Sequence, residues 1–344
     1  MARETRWPFL RLSLAATIIA GALVGIDNTV RGQDQERITV LEENDSLFFN
    51  SDKHYTQGFH ISDLHPVRAP GFWDGAFDLL GGFAPIFAPG GNRQESLFLG
   101  QSIFTPKNTQ LSPPGPRDRP YAGWLYFGTS LLQETDKRML ENFELGLGFV
   151  GPGALGEQVQ NTFHQFIAAE TAKGWGSQLQ TEVGAVVSYE HKLRLPVLGD
   201  NSFGLDIIPQ AGATVGNIFT YADIGGLLRI GKGLAADYGP SRVRPSLSGA
   251  DYFDESGLDD GRAVYFFAGT QGRAVARNIF LDGNSFRASR SVPKKSLVGD
   301  LQAGFSASWS RSLRLDVSVI LRSQEFRGQH GTDDICTAAL TFTW

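Results

Sequence analysis

One cysteine, two methionines and six histidines are all that the 344 residues of this chain offer as soft or borderline metal ligands. The lone Cys336 excludes an internal disulfide and any cysteine metal cluster, so a metal bound here would be held by oxygen. Charge is scarce as well. Asp, Glu, Lys and Arg make up 19% of the chain, against about 25% in ordinary soluble domains. The formal net charge is -5 and no basic stripe is present, which argues against a polyanion-binding protein. Beyond the N-terminal segment there is no apolar run of about 18 residues, hence no helical membrane span. No G-x-S-x-G elbow occurs, which excludes a hydrolase of the α/β type.

What is abundant fits a large β structure with tight turns: 41 Gly, 25 Phe, 8 Tyr and 6 Trp. The chain opens "MARETRWPFLRLSLAATIIAGALVG", three early arginines followed by a short apolar run. This pattern predicts a secretory signal peptide over 1–32, cut near Gly32 or Gln33, and a single exported domain over 33–344.

Alternation with period two then recurs to the last residue. In "SLRLDVSVILR" Leu313, Leu315, Val317, Val319 and Leu321 share one face, while Arg314, Asp316, Ser318 and Arg322 share the other. The final "ICTAALTFTW" alternates likewise and ends on an aromatic residue. Segments of about ten residues suit tilted transmembrane strands, and sheet edges in lipid must close on one another. The fold expected is all-β, a twelve-stranded antiparallel transmembrane β-barrel of the bacterial outer membrane. Its strands are expected at 36–48, 55–65, 95–105, 121–134, 141–151, 180–193, 202–215, 219–231, 262–275, 296–309, 312–325 and 333–344. Connections after odd-numbered strands then face outward. Two inner connections, 66–94 and 232–261, are long, and the first contains "FWDGAFDLLGGFAPIF", an amphipathic helix pattern suited to a membrane surface.

Three polar clusters fall on the outward side. The first is the hairpin "LEENDSLFFNSDKHYTQGFHIS", with Asn44, Asp45, Asp52 and Thr56. The second is "TPKNTQLSPPGPRDRPYAG" over 105–123. The third is "GPGALGEQVQNTFHQFIAAETAKGW" over 151–175, which predicts about four turns of helix packed on the barrel rim. Calcium takes carboxylate, amide and hydroxyl oxygens, the types crowded in the hairpin. Asn44 and Asp45 are adjacent, so both can face one site only at a bulge or strand end.

The runs "ENDS…HYTQGFHIS", "GQSIFTP…DRPYAGWLYFG", "GPGALGEQVQNTFH" and "GW…QLQTE" occur in this order from about residue 42 onward. Together they resemble the lipid A 3-O-deacylase family of outer-membrane barrels. The resemblance implies a calcium-dependent ester hydrolase site between the wall and an outer helix. The implied substrate is lipid A of lipopolysaccharide in the outer leaflet, which loses its 3′-linked acyloxyacyl chain. The matching positions are Asn44, Asp45, Thr56, His164 and Glu170. By this resemblance His164 is the base that activates water and Asp45 the chief Ca2+ ligand. Thr56 and Glu170 are supporting ligands or orienting groups, and Asn44 orients water or the carbonyl oxygen. An imidazole titrating near neutrality suits the base, and a divalent cation suits polarisation of an ester carbonyl. The family's lysine near residues 105–123 has no unambiguous counterpart, Lys107 and Arg117 being the candidates.

Three points stay open at this stage. Glu170 follows His164 by six positions, so they meet only if the helix breaks near "AAETAKG". Asp118 and Arg119 form an ion pair or contact a substrate phosphate. "GFHIS" places His60 and Ser62 two apart on the face assigned to Thr56, which leaves a phospholipase-type serine esterase as an alternative, and a non-enzymatic pore as another.

Overall fold

The computed structural model describes residues 36–45, 53–83, 86–87, 90–200, 202–243, 251–258, 261–310 and 312–344. The segment expected to be a signal peptide and Asp52 lie outside the described residues.

The alternating segments form strands β1 (Arg37–Asn44), β2 (His54–Pro66), β3 (Asn92–Thr105), β4 (Ala122–Thr135), β5 (Met139–Val150), β6 (Glu182–Leu193), β7 (Leu195–Gly199), β8 (Gly204–Gly216), β9 (Phe219–Lys232), β10 (Ala263–Asn278), β11 (Leu297–Ser310), β12 (Leu313–Arg322) and β13 (Asp333–Thr343). Only Arg194 separates β6 from β7 and both pair with β8, so the two are one stave broken once. Twelve antiparallel staves result. β1 pairs with β13 from Arg37 opposite Thr343 to Asn44 opposite Cys336, which closes the barrel. The expected strands are recovered within a few residues, and the chain spans the bacterial outer membrane as strands. Both described termini lie at the periplasmic end, where Glu36 and Trp344 exchange backbone hydrogen bonds of 3.2 and 3.1 Å.

Closure fixes the side of the wall that each residue faces. Within β1, Thr39 bonds Thr341 across the lumen face at 3.0 Å and Glu43 pairs with the buried Arg242 at 3.1 Å, so odd positions point inward. Ile38, Val40, Glu42 and Asn44 therefore face outward. Leu97, Leu99 and Phe127 are exposed on the outer wall, as a lipid belt requires.

The lumen is polar, as expected, and part of it is occupied by a folded-in segment. The connection after β9 folds up into it and carries Asp237, Tyr238, Arg242 and Tyr252 to buried positions. Asp237 is a hub. It pairs with Arg229, with Arg314 at 2.6 Å and with the Tyr265 hydroxyl at 3.0 Å, and it accepts from Gly239 N at 2.9 Å. Burial alone would raise its carboxyl pKa, but Arg314 and Arg229 outweigh burial and hold it below the ordinary value. Tyr238 and Tyr252 both donate to Glu134, at 2.8 and 2.7 Å.

Two helices pack outside the wall. The first, α1 (Phe72–Phe83), covers the outward-facing Leu131 and Phe143 near the periplasmic end through the buried Phe77. The aromatic-rich pattern read in the sequence is thus a helix flanking the barrel. The second, α2 (Gly156–Phe166), is shorter than the four turns expected over 151–175, because the chain before it forms a 3-10 turn at Pro152–Ala154 and the chain after it reverses at Ala168.

Replacing Asp237 with Ala leaves two buried guanidinium groups short of a partner and should lower unfolding stability by about 3–5 kcal/mol, measured by urea unfolding in liposomes. Because the folded pKa of Asp237 lies below its unfolded value, its contribution is complete above the unfolded value and disappears as pH falls through the folded one. The Ala variant should therefore show a flatter decline in stability on acidification.

Candidate active site on the lipid-facing side of the wall

A row of directly paired residues crosses the wall near its outer rim: Cys336, Asn44, Gln57, Ile103 and Gly123. All face outward. Ile103 would meet lipid there, yet it is fully buried, covered by Val159 of α2 and by Tyr121, Ala172 and Trp175. Its neighbour Gly123 shows why the helix comes so close. A Cβ at position 123 would lie 3.0 Å from the Ala154 Cβ and 3.2 Å from the Gly156 nitrogen. Gln101 secures the approach by donating to the Ala154 carbonyl at 2.6 Å.

From that anchor α2 runs across the wall. Its buried stripe is Gly156, Gln160 and His164, at i, i+4 and i+8 on one face. Gln160 accepts from the Trp175 indole at 2.9 Å. Gly156 sits over β4 and Val159 over β3; eight residues at about 1.5 Å rise, or roughly 12 Å, cover two to three strand spacings of about 4.8 Å. The helix thus carries His164 toward β2 and β1, where Thr56 and Asn44 lie. A second stripe of Leu155, Phe163 and Phe166 is apolar and exposed, Phe166 to 70%, and faces the membrane.

The sequence-predicted residues fall as follows. Asn44 ends β1, buried and outward-facing, and Asp45 is the next residue, already off the strand. The strand end required for two adjacent residues to serve one site is present. Asp45 Oδ2 accepts from Lys53 N at 2.6 Å, which closes the hairpin it begins. Thr56 sits in a β-bulge between Tyr55 and Gln57. Its hydroxyl bonds that of Thr105 at 2.7 Å, and Thr105 follows the inward-facing Phe104, so Thr56 lies on the lipid side. This corrects the expectation that Thr56 shares a face with His60 and Ser62. Those two point into the lumen, where His60 stacks on Phe98 with centroids 5.4 Å apart. The bulge had a signal in the sequence. Tyr55 swings over Gly58, where a Cβ would meet its hydroxyl at 1.9 Å, so "YTQG" needs its glycine.

The break required for His164 and Glu170 also occurs. Past Phe166 the chain turns at Ala168 with φ 55°, and the Glu170 carbonyl comes back to His164 Nδ1 at 2.6 Å. A carbonyl only accepts, so Nδ1 carries the proton and the neutral ring's acceptor is Nε2. Glu170 thus meets His164 through its main chain, with its side chain exposed. Asp118 and Arg119 do not pair through their side chains. Asp118 accepts from the backbone of Lys107 and of Arg119, while the buried Arg119 pairs with Glu325 at 3.4 Å beneath the outer rim. Sequence reasoning missed Gly123, Gln160, Thr105 and Trp175, although a glycine on the lipid face and a Gln four residues before the His were visible signals.

For calcium the donor set has the right character in Asp45, Asn44 and Thr56, all hard oxygens gathered at one rim of the wall. Among the described residues no three His, Cys, Asp or Glu side chains converge as metal ligands. Asp45 would supply a carboxylate, with amide, hydroxyl, main-chain and substrate oxygens completing the shell.

A family model described as outer membrane protein LpxR matches residues 9–344. Among solved structures, LpxR from Salmonella typhimurium superposes with a TM-score of 0.70 at 19% identity, over 89% of this chain and 99% of that one. The β domain of the Bordetella autotransporter BrkA is similar over 90% of this chain and 98% of its own at 13% identity, with a TM-score of 0.43. No curated protein matches by sequence.

Replacing Gly123 with Val should push α2 off the wall and lower the activity of this site by about a hundredfold. The barrel should stay heat-modifiable on gels, because lipid-facing Val is well tolerated in a strand.

Proposed function

Because this chain belongs to the LpxR family of outer-membrane proteins, we propose that it is a lipid A deacylase that hydrolyses the 3′-linked acyloxyacyl ester in the outer leaflet. The observation that carries this reading is the position of His164. It lies on the buried stripe of a helix held against the lipid-facing side of the wall, beside an apolar stripe open to the membrane. A reactant reaches such a site sideways, from within the leaflet, and not through the lumen. That favours an acylated lipid whose ester lies at the headgroup boundary.

In this mechanism Nε2 of His164 takes a proton from water as the oxygen attacks the ester carbonyl, and the Nδ1–H bond to the Glu170 carbonyl holds the ring in the required tautomer. The imidazolium returns the proton to the departing sugar hydroxyl as the C–O bond breaks, which releases a fatty acid. No covalent enzyme intermediate forms. Asn44 orients the water or the carbonyl oxygen. Asp45, with Thr56 and neighbouring oxygens, would hold Ca2+, which when bound would supply electrostatic stabilisation of the developing oxyanion. The exposed Glu170 carboxylate is assigned no role at the metal.

Mass spectrometry of lipid A from cells with and without this chain tests the reading: one acyloxyacyl group should be lost on expression. An unchanged lipid A mass in cells that display the folded barrel overturns it. His164→Ala should cut turnover by about 10²–10⁴, and calcium chelation should stop it. Ser62→Ala should retain activity; a dead, folded Ser62 variant would restore the serine alternative.

A further inference from the structure

At the opposite end of the barrel a second polar group sits where lipid is expected. Glu36, Asp63, His65 and Glu95 all occupy outward-facing positions near the periplasmic rim, His65 directly opposite Glu95 in the β2–β3 register. His65 bridges two carboxylates, Nε2 to Asp63 at 3.0 Å and Nδ1 to Glu36 at 3.4 Å. Glu95 is only 8% exposed, and its Oε2 is buried with no hydrogen-bond partner. A buried carboxylate oxygen without a donor is costly, and nothing in the strand pairing requires it. It lines a groove together with Glu36, His65, Arg68, Phe72 and Trp73, where the chain leaves β2 and enters α1.

The setting names the ligand. α1 is held to the outer wall by Phe77 and by Arg93, which pairs with Asp74 at 2.8 Å and Asp78 at 2.9 Å. On its far side Phe72, Leu79 and Phe83 point away from the protein, 80%, 61% and 84% exposed. An amphipathic helix flanking a barrel at this level lies in the interface of the inner leaflet. The groove therefore opens onto phospholipid headgroups.

We propose that this groove binds an inner-leaflet phospholipid with a primary ammonium headgroup. Glu36 and Glu95 line the groove, and the buried, unpartnered Glu95 oxygen gives its wall a negative point that selects a cation with a hydrogen to donate. The side chains do not converge as metal ligands, so the cation is one that donates hydrogen bonds to spread-out oxygens. An ammonium has three N–H donors for Glu95 and its neighbours, whereas a trimethylated headgroup has none. Arg68 places positive charge beside the phosphate, and the exposed Phe72 and Leu79 lie along the acyl chains. The site stands independently of the reaction assigned to the outer end.

The full chain reconstituted in bilayers of equal phosphatidylethanolamine, phosphatidylcholine and phosphatidylglycerol, then extracted in mild detergent, provides the test by native mass spectrometry. Retained phosphatidylethanolamine should exceed phosphatidylcholine by about tenfold, the worth of one charge-assisted hydrogen bond. Glu95→Gln should abolish the preference. Glu36→Gln, at a more exposed carboxylate, should weaken it and serves if the first variant does not fold. Equal retention of the two lipids by the unaltered chain overturns the proposal. So does a preference for phosphatidylglycerol, or a retained divalent ion with no lipid preference.

Discussion

A backbone N–H or C=O in hydrocarbon has no water to bond, and each one left open costs several kcal/mol. The first strand of this chain must therefore find the last, and the pairing of Arg37–Asn44 with Cys336–Thr343 is the constraint that the remaining features inherit. Side chains alternate strictly along a strand, so the closing register decides the environment of every position. A slip of one residue would put Thr39 and Glu43 in lipid and Ile38 and Val40 among buried arginines. It would also turn Asn44 into the lumen and dismantle the site.

With the register set, charge and chemistry separate across the wall. Inside, Arg229 pairs with Asp206 and Asp237, Arg314 with Asp237 and Asp316, and Arg322 with Asp300. These pairs, with the folded-in connection after β9, form a polar core inside the barrel. Buried pairs of this kind contribute little net stability, but they hold strands in a fixed relation to one another. A rigid wall is what an outer-flank site needs, since its parts come from β1, β2 and a helix attached only at the rim.

Much of this was legible in the sequence, for identifiable reasons. Period-two alternation marks a strand whichever side is wet, and strand parity then sorts connections to the two ends, which brought Asn44, Thr56 and His164 to one rim. The face of Thr56 was not legible from parity, because the bulge inserts one residue and only Gly58 hints at it. Glu170 shows a different limit. A residue that acts through its carbonyl leaves no trace in its side-chain type; here the carbonyl orients the His164 ring while the carboxylate is exposed. Arg119 beside Asp118 looked like a local pair, whereas burial sends the guanidinium across to Glu325 and over the Phe104 ring.

The carbonyl partner of His164 has a chemical consequence. In a histidine–carboxylate dyad the carboxylate both fixes the tautomer and balances the charge that the ring acquires when it takes a proton. Here a neutral acceptor fixes the tautomer, and the balancing must come from elsewhere. His164 lies in the last turn of α2, close to the negative end of the helix dipole. Favourable helix-end placement of a cation is worth about 0.3–1 kcal/mol, and up to about 2 in partly buried geometry. A helix terminus and one main-chain carbonyl together therefore do part of the work of an acid residue. In the proposed mechanism they do it without placing a second full negative charge where an anionic substrate and a developing oxyanion would also sit. That makes the length of α2 part of the chemistry. A helix continuing past Phe166 would carry its C-terminal end and the Glu170 carbonyl away from the ring, and leave the imidazole without either partner.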